Sequence, residues 1–428
     1  MPSGAADQTL DVAIIGGGIT GLTMAVGLVS RGFHVKVYER KSGYSKIETT
    51  IAFTPNTEWA MRVLDPRIYG AFKQVATSDA KDRFSWINAY GDDHITPVDK
   101  KGTGKGGFES CQRSKFIAEL SQLLPKGCVV FEKELDVMRH RGEDKKMLLR
   151  FKDKTIVEAD IVIGCDGIHS RVRQYVIGED EEPGYAHKYV FRGLIRSHKV
   201  NALVGKDIGT NRYIHLGQGA HAVTFPVADG ELFNVVAFVK DAKELPDKRN
   251  SIDSLSKKEV VKAFRKFPAI TRAIIDLLPD QIDRWVIFDT FDDPATTYID
   301  DRMCLAGDAA HPASPHHGAG AGMGVEDAAA LVSLLELAKE ALPDKRYRKT
   351  TLIQLALEAY DRVRLNRTLW LVETSWFSGE LYEWQHGNGP ATIWREVNWR
   401  ARKTWPYNID EINRQAMEEF IRSLSTMR

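Results

Sequence analysis

The hydrophobic pattern changes character twice along this chain. Near the start, Val12 to Ile15 is a short continuous apolar run ending in glycine, the pattern of a strand buried on both faces of a parallel sheet. From Ile19 to Arg31 the apolar residues Leu22, Ala25, Val26 and Val29 recur at helical spacing. HVKVYE (34–39) follows as a second strand. ADIVIGC (159–165) and RMCLAG (302–307) repeat the buried-strand pattern, and the second leads through a glycine-rich turn into a long apolar helix from about Gly322. Between about Glu181 and Arg284 the periodicity shortens. YVFRGLI, RYIHLGQ, HAVTFPV and FNVVAFVK are rich in β-branched and aromatic residues and separated by turns, which predicts an antiparallel sheet. SLSKKEVVKAFRKF (254–267) then has helical spacing.

The first strand, loop and helix carry Gly16, Gly18 and Gly21 in G-x-G-x-x-G spacing, with Glu39 at the end of the second strand. Gly16 permits a tight turn, Gly18 the close approach of a pyrophosphate, and Gly21 the packing of helix on strand. The helix start offers free N–H groups and a positive dipole to phosphates. Glu39 suits ribose hydroxyls and disfavours a 2′-phosphate, so this loop predicts a dinucleotide other than NADP. Whether that is FAD or NAD the loop leaves open. Two later strands end in acid–glycine pairs, Asp166-Gly167 and Gly307-Asp308. In a doubly wound sheet the carboxyl ends of the strands line one crevice, so both acids are expected beside the first loop. The run Gly318 to Gly322 is expected to aim a second helix N-terminus at the same place.

Composition removes several classes of function. Lys+Arg number 59 against 58 Asp+Glu, so charge gives a nucleic-acid or acidic-membrane partner no support. The N-terminus lacks a secretory pattern, and no apolar run reaches the roughly 20 residues of a spanning helix. Cys111, Cys128, Cys165 and Cys304 are dispersed, which suits a reducing compartment and argues against structural zinc. The expectation is a cytoplasmic protein, monomer or homodimer, without a metal site.

Taken together, the three motifs resemble the single-component FAD-dependent aromatic monooxygenases of the para-hydroxybenzoate hydroxylase fold. Asp166-Gly167 with Ser170 and Arg173 resembles that family's DG motif, and Gly307-Asp308 its GD motif. Pro315 with Gly318–Gly322 and Glu326-Asp327 resembles the salicylate-hydroxylase-like branch common in fungal secondary metabolism. FTPN (53–56), Arg113 and YDRVRLNR (360–367) also fit it, although Val363 stands where proline is usual. The resemblance implies non-covalent FAD held by Gly16, Gly18, Gly21, Glu39, Arg40, Arg113, Asp166, Asp308, Gly320, Ala321 and Gly322. It implies NADPH or NADH and O2 as co-substrates, with oxygen delivered through a C4a-hydroperoxyflavin to an electron-rich aromatic small molecule. The expected fold class is α/β plus β. A Rossmann-type FAD-binding domain (1–80, 105–180 and 285–345) carries an inserted antiparallel substrate domain (81–104 and 181–284). A helical C-terminal region (346–428) follows.

On the substrate side, Arg192 in FRGL is the candidate to hold a phenolate or carboxylate, or to protonate an opening epoxide. His221, Phe225, Pro315 and His316 are expected to line the pocket, and His317 to serve as a base near neutral pH. Phe225 stands where phenol-hydroxylating relatives carry tyrosine. That opens an indole alkaloid epoxidase as a second chemistry, beside phenol or aromatic acid hydroxylation. A flavin reductase or dehydrogenase without oxygen insertion is the third. GTGKGG (102–107) reads as a hairpin tip, GEDKK (142–146) and PDKRYRKT (343–350) as solvated faces, and Trp384, Trp394, Trp399 and Trp405 as packing residues.

Overall fold

The computed structural model describes residues 9–44, 50–77, 84–88, 94–95, 109–142, 145–178, 182–228, 230–243, 252–387 and 389–426. The GTGKGG segment, and Glu143 and Asp144 of the GEDKK run, lie outside the described residues.

The early apolar runs form one sheet. Asp11–Ile15 lies at its centre, parallel to His34–Tyr38 on one side and Ile161–Gly164 on the other. Met303–Leu305 continues the parallel order, Val129–Val130 flanks the opposite edge, and Ile299–Asp300 closes the sheet antiparallel. Helices Ile19–Ser30 and Gly320–Ala341 pack against each other within its core cluster. All four cysteines are buried free thiols.

Among the described residues the second sheet has eight strands. Gly184–Arg196 pairs antiparallel with Leu232–Lys240 and Gln281–Asp289, and Ala220–Val227 and Arg212–Gly217 extend it. Phe84–Asn88 joins parallel to Arg212–Gly217. Because side chains alternate, its two faces differ. One face presents Phe191, Ile195, Val235 and Ala237 to helices Ser197–Val204 and Ala269–Asp276. The other presents Val190, Val236, Phe238 and Trp285.

A 34-residue helix, Lys349–Tyr382, ties the sheets together and is roughly 50 Å long at 1.5 Å per residue. Leu352, Leu357 and Tyr360 near its start belong to the parallel-sheet core. Leu381 and Tyr382 at its end pack with Ile214 and Leu216 of the antiparallel sheet.

Three local expectations need correction. Ser254–Ser256 belongs to an edge strand, Ile252–Ser256, paired with Gln281–Asp289, so helix begins only at Lys258. The glycine-rich helix begins at Gly320, two residues early. Trp394 and Trp399 are about half exposed, 48% and 50%, because helix Pro390–Thr404 turns Ile393 and Ala401 inward instead. The charged runs behave mostly as solvated faces, but Lys146 pairs with Asp11 and Lys349 with buried Asp160 at 2.5 Å.

Candidate active site

The first glycine loop is held from both sides. Gly16 has φ +106°, and a Cβ there would lie 2.2 Å from the Cys165 carbonyl oxygen. A Cβ on Gly21 would lie 2.1 Å from the Gly16 oxygen. Neither position tolerates a side chain. Gly18 differs: its Cβ direction meets only the Arg113 Nη2, at 3.8 Å. It begins a helix with no side-chain cap, so the first N–H groups and Arg113 face a common space that a pyrophosphate fits. The Glu39 carboxylate accepts from the Gly17 N–H at 2.8 Å and the Lys41 N–H at 3.0 Å, which fixes it at the loop. Arg40 beside it is exposed.

Asp308 opens to the same cleft. The surrounding protein raises its carboxyl pKa, while His311 and Arg113 pull it down. Its Oδ1 is 3.7 Å from where a Gly320 Cβ would stand, which places it at the N-terminus of the glycine-rich helix, again without a side-chain cap. Gly322 lets this helix lie against Thr57, where a Cβ would meet the hydroxyl at 2.4 Å; Ala321 is half-buried between them. Asp166 is arranged differently from the expectation. Its carboxylate accepts from Ser170 Oγ at 2.5 Å, Arg171 N–H at 2.7 Å and Val172 N–H at 3.2 Å, so it is taken up by its own turn. Arg173 is buried and donates to the Ala310 carbonyl at 2.9 Å, tying the turn after Asp166 to the turn that carries Asp308.

Behind the cleft lies a buried charge network. Asp327 accepts from the Gly307 N–H at 2.9 Å, pairs with His311 at 2.6 Å, and receives Arg364 Nε at 2.8 Å. Arg364 also reaches Glu326 at 2.8 Å, and Asn56 donates to Glu326 at 2.6 Å. Burial alone would raise the Asp327 carboxyl; His311 and Arg364 overrule it and hold it at about 2. FTPN, Gly307-Asp308, Glu326-Asp327 and YDRVRLNR, far apart in sequence, therefore form one structural unit.

The face of the antiparallel sheet with Val190, Val236, Phe238 and Trp285 also carries Arg192 and His221. The guanidinium of Arg192 lies over the Trp285 ring at 5.6 Å. Its Nε is buried without a hydrogen-bond partner, and burial lowers its pKa. Phe225 is half-buried on the next row of the same face, opposite Asn234. The turn Pro315–His317 approaches from below. His316 contacts the Phe238 ring at 4.9 Å and the His221 ring at 5.0 Å, while Pro315 is exposed. His317 faces away from them: its Nε2 meets Thr374 Oγ1 at 2.6 Å on the long helix, and burial lowers its pKa to about 4.

Sequence reasoning missed the partners of these groups. Arg212 is buried on the same face, and burial brings its pKa down to about 10. Lys188 and Glu383 are buried beside His221. Lys188 had a signal, since it alternates with Val190 and Arg192 along one strand. Glu383 had none, because only the long helix brings it there. Among the described residues no cluster of His, Cys, Asp and Glu could hold a metal, and no helix is long and apolar enough to cross a membrane.

Comparison with known proteins agrees with this geometry. The FAD binding domain family matches residues 9–344. FAD-dependent monooxygenase pigN of Monascus ruber is 47% identical over 428 residues, covering 98% of each chain. Salicylate hydroxylase asL1 of Sarocladium schorii is 33% identical, covering 97% of this chain and 92% of that one. A solved salicylate hydroxylase substrate complex superposes with a TM-score of 0.83 at 27% identity, covering 96% of this chain and 98% of that one. The loop built on Gly16, Gly18 and Gly21, the Asp308 turn and these relatives agree: the chain belongs to the FAD-dependent monooxygenase family.

Proposed function

We propose that this protein hydroxylates an electron-rich phenolic small molecule of secondary metabolism, using NADPH or NADH and O2. The observation that carries the reading is Arg192. A cation with a buried, unpartnered Nε sits on an apolar, aromatic sheet face (Val190, Val236, Phe238 and Trp285) opposite the cofactor turn. Such a group is poorly solvated and gains strongly from an anionic oxygen. A phenolate is activated toward an electrophilic oxygen, so holding the substrate ionised is both binding and activation.

FAD supplies the reduction and O2 chemistry when bound. The Gly18 helix start and Arg113 would hold its pyrophosphate, Glu39 a ribose, and Asp308 the ribityl chain. The chain's own part is to place the ring against the Pro315 turn, exclude water with the Phe238 and Trp285 face, and hold the substrate oxygen at Arg192. The discontinuous domain division given above, with the antiparallel sheet as substrate domain, is part of this reading. The buried thiols support a cytoplasmic setting.

The test is a panel of phenols, aromatic acids and indoles offered to purified protein with NADPH or NADH. Phenols should stimulate nucleotide oxidation and yield a product heavier by one oxygen. Stimulation by indoles alone, with an oxindole product, would transfer the assignment to epoxidation.

A further inference from the structure

The sheet face that carries Arg192 is sealed at one end and open at the other. Its rows follow from the pairing of Leu232–Lys240 with Gly184–Arg196 on one side and Ala220–Val227 on the other. Val190, Phe238 and His221 form one row and are all buried. Arg192, Val236 and Val223 form the next and are half-buried. Leu194, Asn234 and Phe225 come third, and here Leu194 is 37% exposed while Phe225 is half-buried. Arg196, Leu232 and Val227 make the fourth.

The third row sets a short side chain between two long ones. Val236, Asn234 and Leu232 are therefore the floor of a groove whose walls are Leu194 and Phe225. Four residues separate the Arg192 row from the Arg196 row, roughly 13 Å along the strand. At the far end Val227 and Ala228 line a cavity of about 150 Å³ with Thr50, Thr77, Ser110 and Gln112. These last four belong to the small sheet of Thr50–Phe53, Ala76–Thr77 and Glu109–Gln112.

An exposed leucine alone is ordinary, but this one stands one row from Arg192 and across Asn234 from Phe225. Asn234 is the stronger pointer. It is only 8% exposed, yet its side chain makes no hydrogen bond among the described residues. A buried amide left unpaired is unfavourable and rare, and this one lies in the groove floor, where an occupant would meet it.

We propose that the groove binds a side chain of the substrate, which is a phenol extended by an acyl chain. The proposal rests on the phenolic reading above and narrows it. The phenol oxygen is held at Arg192. One row further on, about 7 Å away and near the reach of a benzene ring, the chain's carbonyl oxygen accepts from the Asn234 amide. The chain's apolar carbons lie between Leu194 and Phe225 over Leu232, and its end reaches Val227 and the cavity. A phenol without such a chain leaves the groove empty and Asn234 unpaired.

The experiment titrates para-alkylphenols, from methyl to heptyl, and para-hydroxyphenyl hexyl ketone into the oxidised holoenzyme, read by the flavin absorbance. In the native protein each added methylene should tighten binding about twofold to fourfold, levelling off once the chain fills the groove. The ketone should bind more tightly than heptylphenol, and Asn234→Leu should abolish that preference. Leu194→Gln, at an exposed position, should lower the heptyl-to-methyl affinity ratio about tenfold. No dependence on chain length in the native protein, or an unchanged dependence in Leu194→Gln with native flavin content, would overturn the groove and leave the phenolic reading intact. A ketone preference that survives in Asn234→Leu would overturn the role of Asn234. Absence of binding by any of these phenols would overturn both readings.

Discussion

Arg192 and the buried histidines carry the account at the scale of single residues. Replacing Arg192 by Met removes a charge-assisted hydrogen bond of about 1.5–3 kcal/mol, so kcat/KM for a phenol should drop roughly 10- to 100-fold. Lysine should restore part of it, and steady-state kinetics on the three proteins checks both. The histidines set a pH limit. His215, held between Thr271 and Thr224 hydroxyls at 2.9 and 3.0 Å, has its pKa lowered by burial to about 3, and His317 is lowered to about 4. Both are neutral when folded and protonate near 6.5 when unfolded. Their contribution to stability is complete above pH 6.5 and is lost as pH falls toward 4 and 3. Between pH 6 and 4 each should subtract up to about 1.4 kcal/mol per pH unit. Chemical denaturation across that range should give a shallower slope in His215→Gln.

At the scale of elements, two packing events govern the cofactor site. The first is the seating of helix Ile19–Ser30 on the sheet. Gly21→Ala puts a methyl 2.1 Å from the Gly16 oxygen, so the helix must lift and the pyrophosphate cradle opens. The purified variant should lose most of its flavin absorbance relative to protein. The second is the Asp327 network. Asp327→Asn leaves Arg364 buried with one carboxylate fewer, and breaking such a pair typically removes about 3–5 kcal/mol. Thermal unfolding should show a clear loss. Asn56→Ala, one neutral donor to Glu326, should lose much less.

For the whole molecule, what the sequence revealed divides along contact range. The parallel strands, the glycine loop and the paired acids were readable because each depends on periodicity or on spacing within about thirty residues. Arg192, His221 and Phe225 were named through the resemblance; that they share one face comes from the strand pairing, since alternation fixes only the side of its own strand that a residue occupies. The Lys188–Glu383–His221 cluster was not readable, since Glu383 is 162 residues from His221 and no local pattern encodes that meeting. Nor did spacing show that Asp166 would cap its own turn or that His317 would bond Thr374, because both outcomes depend on tertiary packing. Trp394 and Trp399 are expected to pack, yet the helix leaves both about half exposed, with Trp399 still meeting the Trp370 ring edge-on at 6.3 Å.

Everything above converges on a molecule that inserts one atom of O2 into an aromatic substrate. The direct measurement is a single reaction of holoenzyme, NADPH or NADH, and a phenol under 18O2, read by product mass. One labelled oxygen should appear in the product and the second in water. A product that carries no label, formed with nucleotide oxidation, would contradict it and make the protein a flavin reductase or dehydrogenase on the same scaffold.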